Sequence, residues 1–285
     1  PVKWFTTAQC FRYERMTRGR KREHYQWNMD IVGEQAVTAE VEILAAAAAA
    51  LQMMGMPDDS YKIHVNNRAL LAELLHNTGI LPEHHPAVFL ALDKRGKIND
   101  EEIEELLKAE GLGSEPIRRT FELLEVQTLD QAEALAGQDS PAVRRLRELF
   151  TLARLYGIDD RLVFDISVIR GLAYYTDIVF EAFDIGRRFR AIFGGGRYDN
   201  LLTTVGGDPT PAVGLGFGDV VVMELLADCA KAPRTGRVVE YSVGFMDKAA
   251  RGLALRVATA LRLAGRTCDL ALSVEKPRRF FNRAD

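Results

Sequence analysis

Six cations crowd the stretch between Phe11 and Tyr25. Arg12, Arg15, Arg18, Arg20, Lys21 and Arg22 face only Glu14 and Glu23, a local net charge of +4. Arginine suits phosphate because its planar fork donates two parallel hydrogen bonds and keeps its charge at any working pH. Several on one loop can cradle a triphosphate or a nucleic-acid end, although a solvated basic loop has the same composition. Just downstream, YQWNMD alternates so that Gln26, Asn28 and Asp30 share one strand face while Tyr25, Trp27 and Met29 take the other. Three polar side chains on one face either meet water or line a polar pocket. Asp30 suits a cationic or NH-bearing ligand, or else caps a strand end. Two further runs combine arginine, glycine and tyrosine. RGLAYYT (170–176) sets Arg170 at a strand end ahead of Tyr174 and Tyr175, whose hydroxyls need partners if buried. GGGRYDNLL (194–202) carries glycines that let backbone approach a ligand closely, or that simply turn the chain.

Positioning these groups takes a frame, and 285 residues allow roughly two domains. A composition 47% hydrophobic and 27% charged supports a packed core and argues against disorder. The net charge of -3 excludes a protein basic throughout, but not a local basic patch. Cys10, Cys229 and Cys268 lie far apart without a CxxC or Cys/His pairing, which excludes a disulfide scaffold and a zinc module. No apolar run reaches the roughly 18 residues of a membrane span. Nucleophile elbow, P-loop and HExxH motifs are all absent from the sequence. The chain begins at Pro1 and enters directly into a strand-like run, so it is expected to be an internal piece of something longer.

Residues 3–11 and 24–33 read as the strands of a long hairpin with a flexible tip at Thr17 and Gly19. The alanine-rich segment Thr38 to Met54 reads as a helix, 61–65 as a strand and 68–76 as a short amphipathic helix. From about 78 to 137, helical patterns such as 100–109 and 115–124 alternate with Gly and Pro, as in a small helical module inserted into a larger domain. A long helix is expected from Ser140, its N-cap, to Tyr156. Strands follow over 162–169, 177–183 and 188–193, with turns at 184–186 and 194–196. The apolar run 212–218 leads into a helix over 219–229, and 231–236 is a linker by composition. A strand (238–245), a helix (248–264), a strand (268–274) and a basic tail then imply a second, α/β domain.

In this order, the pieces resemble a class II aminoacyl-tRNA synthetase, specifically histidyl-tRNA synthetase. The match is carried by CFRYERMTRGRKREHYQWNMDIVG (10–33), similar to the family's motif 2 hairpin, by HVNNRALL (64–71), and by VIRGLAYYTDIVFEAFD (168–184) with GGGRYDNLL (194–202), similar to its two histidine-specific signatures. The resemblance implies an α+β fold, a class II antiparallel sheet flanked by helices. Its catalytic core would occupy 1–77 and 139–230, around a helical insertion at 78–138. Residues 237–285 would be part of a C-terminal α/β anticodon-binding domain. It implies a ligase that activates L-histidine with ATP, accompanied by Mg²⁺, and transfers it to tRNA(His), as a homodimer in the full-length protein. The compartment implied is the cytoplasm, with an organelle as the other setting for the same reaction. Carried over by position, Arg12 would bind the α-phosphate and the histidine carboxylate, Glu14 would lie beside adenine, and Arg20 would reach the β/γ-phosphates. Gln26 would contact the amino and carboxyl end of histidine, and Asp30 its imidazole. Arg170 would stand at the α-phosphate where a metal ion might otherwise sit. Tyr174, Tyr175 and Tyr198 would close the histidine pocket, and Arg15, Arg18 and Lys21 would touch the tRNA acceptor end. The tail Lys276–Arg283 would bind anticodon or begin a solvated helix.

Three departures from the pattern stand out. The third class II motif ends in an arginine stacked on adenine, and in GFGDVVVMELL that place holds Val221. A small glycine usually follows YYT, and here it is Asp177, which could strain a turn. Motif 1 and the upstream substrate-gripping loop are not in the chain, so residues 1–285 alone are expected to show little activity. Two non-catalytic relatives are the alternatives: the regulatory subunit of ATP phosphoribosyltransferase, and the synthetase-like domain of a tRNA-sensing kinase. Arg170 and the strand-helix-strand segment after 237 count against the first, while Val221 leaves the second open.

Overall fold

The computed structural model describes residues 1–285 except Glu14, Gly96, Lys97, Ala173, residues 234–238 and Asp285. It divides into two compact units, Pro1–Ala232 and Pro233–Asp285. The first is built on a seven-stranded sheet whose order is β1 (Val2–Phe11), β2 (Glu23–Val32), β7 (Ala212–Gly218), β6 (Phe193–Arg197), β5 (Ile178–Asp184), β3 (Tyr61–Asn67) and β4 (Leu162–Phe164). All neighbours are antiparallel except β3 and β4. The expected hairpin forms, paired from Val2↔Val32 to Phe11↔Glu23.

Alternation decides which side of the sheet is packed. Trp27, Met29 and Ile31 of β2 lie in register with Phe217, Leu215 and Val213 of β7, and Phe193 of β6 extends the first of these rows. Phe193 and Phe217 stack at 5.6 Å, and Trp27 meets Phe217 edge-on at 5.8 Å. Two long helices, α1 (Thr38–Met53) and α7 (Pro141–Tyr156), pack with each other and with this part of the fold. Ala47 and Ala48 of α1 are fully buried, small enough to let helix backbones approach closely. Ser140 accepts from the Val143 N–H at the start of α7, and Gly157 ends that helix in the left-handed region at φ 68°. Between them, α2 (Arg68–Asn77), α3 (His85–Leu92), α4 (Asp100–Ala109), α5 (Ser114–Leu123) and α6 (Leu129–Ala136) follow β3. Ile103, Leu107, Ile117 and Ala132 bury their apolar faces in the cluster that also holds the sheet's packed face.

Two strand expectations in the first unit need correction. The strand expected at 188–193 with a turn at 194–196 is instead β6, with the three glycines inside it. Phe193, Gly195 and Arg197 point to the packed side and Gly194 and Gly196 to the open side, so the glycines mark close approach across a sheet rather than a turn. The strand expected at 162–169 stops at Phe164 because local side chains take over its backbone partners. Asp165 accepts from the Ser167 N–H (3.0 Å), while Asn66 Nδ2 donates to the carbonyls of Ile166 (2.9 Å) and Val168 (3.1 Å).

Asp165 also accepts from His64 Nδ1 (2.8 Å), Ser167 Oγ (2.5 Å) and Arg187 (2.8 Å). Burial alone would raise its pKa, but these donors outweigh it and hold the carboxyl well below the usual range. A depressed folded-state pKa contributes stability above the unfolded value of about 3.9 and loses it as pH falls below that. Asp165→Asn is therefore expected to cost about 1–3 kcal/mol at pH 7 and to flatten the acid side of the stability profile. Urea titrations between neutral and acid pH check this, and a variant with an unchanged acid limb would refute it.

After β6 come α8 (Leu201–Thr204), β7 and α9 (Asp219–Asp228). The second unit pairs β8 (Tyr241–Val243) in parallel with β9 (Cys268–Leu270), joined through α10 (Arg251–Leu263), the expected strand-helix-strand order. The basic tail is a helix, α11 (Pro277–Ala284), whose Phe280 is buried and whose Arg283 pairs with Asp269 and with Glu275 (3.3 Å). Among the described residues no helix is long and apolar enough to cross a membrane.

Candidate active site

The open face of the sheet is paved with glycine and edged with polar side chains. Asn28, Gly216, Gly194 and Glu181 form one row across β2, β7, β6 and β5, and Asp30, Gly214, Gly196 and Val179 form the next. The two rows are about 7 Å apart along the strands. Side chains from neighbouring segments lie flat on this floor. A Cβ on Gly194 would come within 2.6 Å of Arg170 Nη1, one on Gly216 would collide with Gln26 Nε2, and one on Gly214 with Asp30 Oδ1. Gly214→Ala would also bring its methyl within 2.9 Å of the Met29 carbonyl. The displaced Asp30 carboxylate is expected to lower turnover by about 10²-fold, the scale of a 1 Å misplacement. Steady-state kinetics of the complete protein check this, with near-UV circular dichroism to verify folding; an unchanged kcat/KM in a folded variant refutes it.

Arg170 sits where the two rows meet. Its guanidinium pairs with Glu181, lies 5.8 Å from the Tyr175 ring centre and leaves a buried Nε without a partner among the described residues. Burial opposes its charge, but Glu181 outweighs that and raises its pKa, so it is a fixed cation. Its backbone takes φ 59°, in the left-handed region that non-glycine residues rarely adopt. The HVNNRALL run holds that conformation. Asn66 fixes the carbonyls of Ile166 and Val168, Asn67 caps α2 and donates to Asp177, and Arg68 donates to the carbonyls of Arg170 (3.2 Å) and Leu172 (3.1 Å). Arg68 is itself clamped over the Phe89 ring at 4.4 Å.

Over the second row stand three tyrosines and Asp30. Tyr198 donates its hydroxyl to Asp30 Oδ1, Tyr174 and Tyr175 meet at 4.6 Å between ring centres, and Tyr174 meets Tyr198 edge-on at 5.6 Å. Burial, and then the Asp30 hydrogen bond, push the Tyr198 hydroxyl far up, so it is a neutral donor. Behind Tyr198, sequence reasoning missed a buried network. Arg197, 1% exposed, donates to both oxygens of the wholly buried Glu40 (2.6 Å each) and to the Glu34 carbonyl (2.9 Å). Arg145 joins Glu40 (3.4 Å) to Asp177. Asp177 thus anchors the loop's exit through Arg145 and Asn67 rather than straining a turn. The one sequence signal for this network was an arginine beside Tyr198 inside a glycine strand.

A cavity of about 230 Å³ opens over the first row, and Arg12, Arg20, Lys21, His24, Gln26 and Arg170 line it. Gln26 donates to Asn28 Oδ1 at 2.8 Å. The predicted site residues therefore fall into two adjoining groups: cations and Gln26 around the cavity, and Asp30 with the tyrosines beside it, joined by Arg170. Arg15 is exposed on the hairpin. Arg18 is turned away from the cavity and bound to α9, donating to Glu224 (3.0 Å) and Asp228 (2.6 Å) and lying 4.7 Å over the Phe189 ring. Glu14 lies outside the described residues. Val221 is buried in the first turn of α9, where it lines the cavity. The neighbouring Asp219 accepts from the Tyr25 N–H at 3.2 Å and ties that helix to β2. Among the described residues no three His, Cys, Asp or Glu side chains gather into a metal-binding group.

Residues 1–218 match the family model described as Histidyl-tRNA synthetase. The chain belongs to the histidyl-tRNA synthetase family. Over 284 residues it is 45% identical to the chloroplastic/mitochondrial histidine–tRNA ligase of Arabidopsis thaliana, a match covering 100% of this chain and 58% of that protein. It is 38% identical over 276 residues to the histidine–tRNA ligase of Natronomonas pharaonis, covering 96% of this chain and 63% of the relative. The chain thus spans about three fifths of the length of these curated relatives. In fold it is similar to the histidyl-tRNA synthetase of Nostoc sp. PCC 7120, with a TM-score of 0.82 at 22% identity over 100% of this chain and 68% of that one. A Bacillus halodurans protein described as an ATP phosphoribosyltransferase regulatory subunit/histidyl-tRNA synthetase gives 0.79 at 20% identity, covering 99% and 72%. The histidyl-tRNA synthetase fold accounts for the α+β class and the antiparallel sheet.

Proposed function

We propose that the protein is a histidine–tRNA ligase: it condenses histidine with ATP to histidyl-adenylate and passes the histidyl group to tRNA(His). The supporting observation is the position of Arg170, a fixed cation between a cation-lined cavity and a pocket of Asp30 and tyrosines. In this reading the triphosphate lies along Arg12 and Arg20. Gln26 and Arg12 hold the amino and carboxyl end of histidine, Asp30 accepts from its imidazole, and Tyr174, Tyr175 and Tyr198 close the pocket. A carboxylate oxygen of histidine attacks the α-phosphorus, the bond to the bridging oxygen breaks, and pyrophosphate leaves. Arg170 and Arg12 stabilise the charge that builds on the phosphoryl oxygens, chemistry that depends on placed cations more than on proton transfer. A terminal ribose hydroxyl of the tRNA then attacks the carbonyl carbon and AMP departs.

Mg²⁺ would come with ATP. It binds through phosphate oxygens, water and one or two carboxylates, and Glu181 beside Arg170 fits that role. Arg15 and Lys21 on the hairpin are assigned to the tRNA acceptor end, with Arg18 joining them only on leaving Glu224 and Asp228. The assignment of domains follows: catalytic core at 1–77 and 139–230, helical insertion at 78–138, and part of an anticodon-binding domain at 237–285. A homodimer fits the exposed Val2, Trp4 and Phe5 on edge strand β1. The setting is the cytoplasm or an organelle that makes protein. Histidine-dependent exchange of labelled pyrophosphate into ATP by the complete protein tests the reading, and no exchange above background overturns it.

A further inference from the structure

The segment RRFR (187–190) between β5 and β6 carries three arginines, and two of them are committed. Arg187 donates to Asp165 (2.8 Å) and lies 5.0 Å over the Phe183 ring. Arg188 donates to Asp184 (3.1 Å) and Asp228 (2.8 Å). Arg190 is exposed, lines the cavity, and has no hydrogen-bond or ion-pair partner among the described residues. No carboxylate is among the described residues lining that cavity. Its own part of the chain, Ala191 and Ile192, supplies apolar lining, as do Val220 and Val221 from the first turn of α9. Arg12, Arg20, Lys21 and Arg170 already give the cavity four cations for phosphate. An uncommitted guanidinium beside an apolar wall does something else well: its flat face stacks on a heteroaromatic ring whose edges rest on aliphatic side chains.

We infer that Arg190 is the residue that covers the purine base of the bound nucleotide, with Val220 and Val221 as the apolar wall beside it. This rests on the nucleotide reading of the cavity given above and adds a base-recognition residue from the β5–β6 connection. It also gives Val221 a role: an arginine at that position would point a further cation into the wall that Arg190 already serves.

The test separates base from phosphate in the complete protein, by titration calorimetry with AMP and with pyrophosphate as probes and by the KM for ATP in pyrophosphate exchange. Arg190→Ala is expected to weaken AMP about tenfold, the scale of one base–side-chain stack, to raise the KM for ATP similarly, and to leave pyrophosphate affinity within about twofold. Arg190→Trp, which keeps a flat face without charge, is expected to recover most of the AMP affinity, and Arg190→Lys little. Unchanged AMP affinity in Arg190→Ala, an equal loss for pyrophosphate, or full recovery by Lys but not Trp would each overturn the assignment. A wild-type protein that binds AMP in an Arg190-dependent way but shows no exchange would overturn the ligase reading and leave this one standing. Absence of AMP binding beside measurable exchange would overturn this assignment and leave the ligase reading standing; absence of both would overturn both.

Discussion

Arg170→Ala is expected to lower the kcat of histidine-dependent ATP–pyrophosphate exchange by about 10²–10³-fold, with the KM for either substrate changing far less. The magnitude is that of removing one preorganised donor from a site where negative charge develops. The guanidinium spans both rows of the sheet, pairing with Glu181 over the first and facing the Tyr175 ring over the second. In the proposed reaction that puts the cation at the reacting phosphorus rather than at either substrate's remote end. Substitution also leaves Glu181 without its partner, so Arg170→Ala/Glu181→Gln is compared with Glu181→Gln alone, which carries the loss of the carboxylate assigned to Mg²⁺. Exchange in the double variant should remain below that of Glu181→Gln alone, because the missing cation is the cause. Recovery to that level would show that the unpaired carboxylate, not the loss of Arg170, blocks the reaction. Arg170→Lys should fall between, since an ammonium keeps the charge but not the fork.

Arg197→Ala is expected to destabilise the first unit by about 3–5 kcal/mol, the cost of leaving one member of a buried ion pair without its partner. Glu40 is 0% exposed and receives both donors of the Arg197 fork, and among the described residues only the more exposed Arg145 remains as a further cation, at 3.4 Å. Replacing both partners with Leu should cost less than the sum of the single changes, because no buried charge is then stranded. Chemical denaturation monitored by Trp27 fluorescence would measure each. A loss below about 1 kcal/mol for Arg197→Ala would show that water reaches Glu40 and that the pair does not hold the fold. The same substitution should disturb histidine binding, since the Arg197 carbonyl accepts from the Thr176 N–H at 2.8 Å and Tyr198 follows directly in the chain.

Local pattern was enough for the elements whose signals are local. The β1–β2 hairpin, the alanine-rich α1 and the Ser140-capped α7 follow from alternation, propensity and caps, which neighbouring residues settle among themselves. The family was legible because RGLAYYT, GGGRYD and the arginine hairpin keep their order and types. The polar face of Gln26, Asn28 and Asp30 was legible too, since period two fixes which side chains share a side.

What alternation could not supply was the partner strand. Gly194 to Gly196 read as a turn until the register set Gly194 opposite Gly216 and Glu181, with Arg170 lying across it. Glu40 and Arg197 are 157 residues apart, and each reads as an ordinary surface charge until the fold buries both. Arg18 and Arg190 are alike in sequence, yet one is held by α9 and the other faces the cavity. Residue types and their order thus determined the family and the chemistry available to it. Register and burial, which depend on contacts between distant segments, decided which glycines form a floor, which charges support the site and which arginines remain open to a ligand.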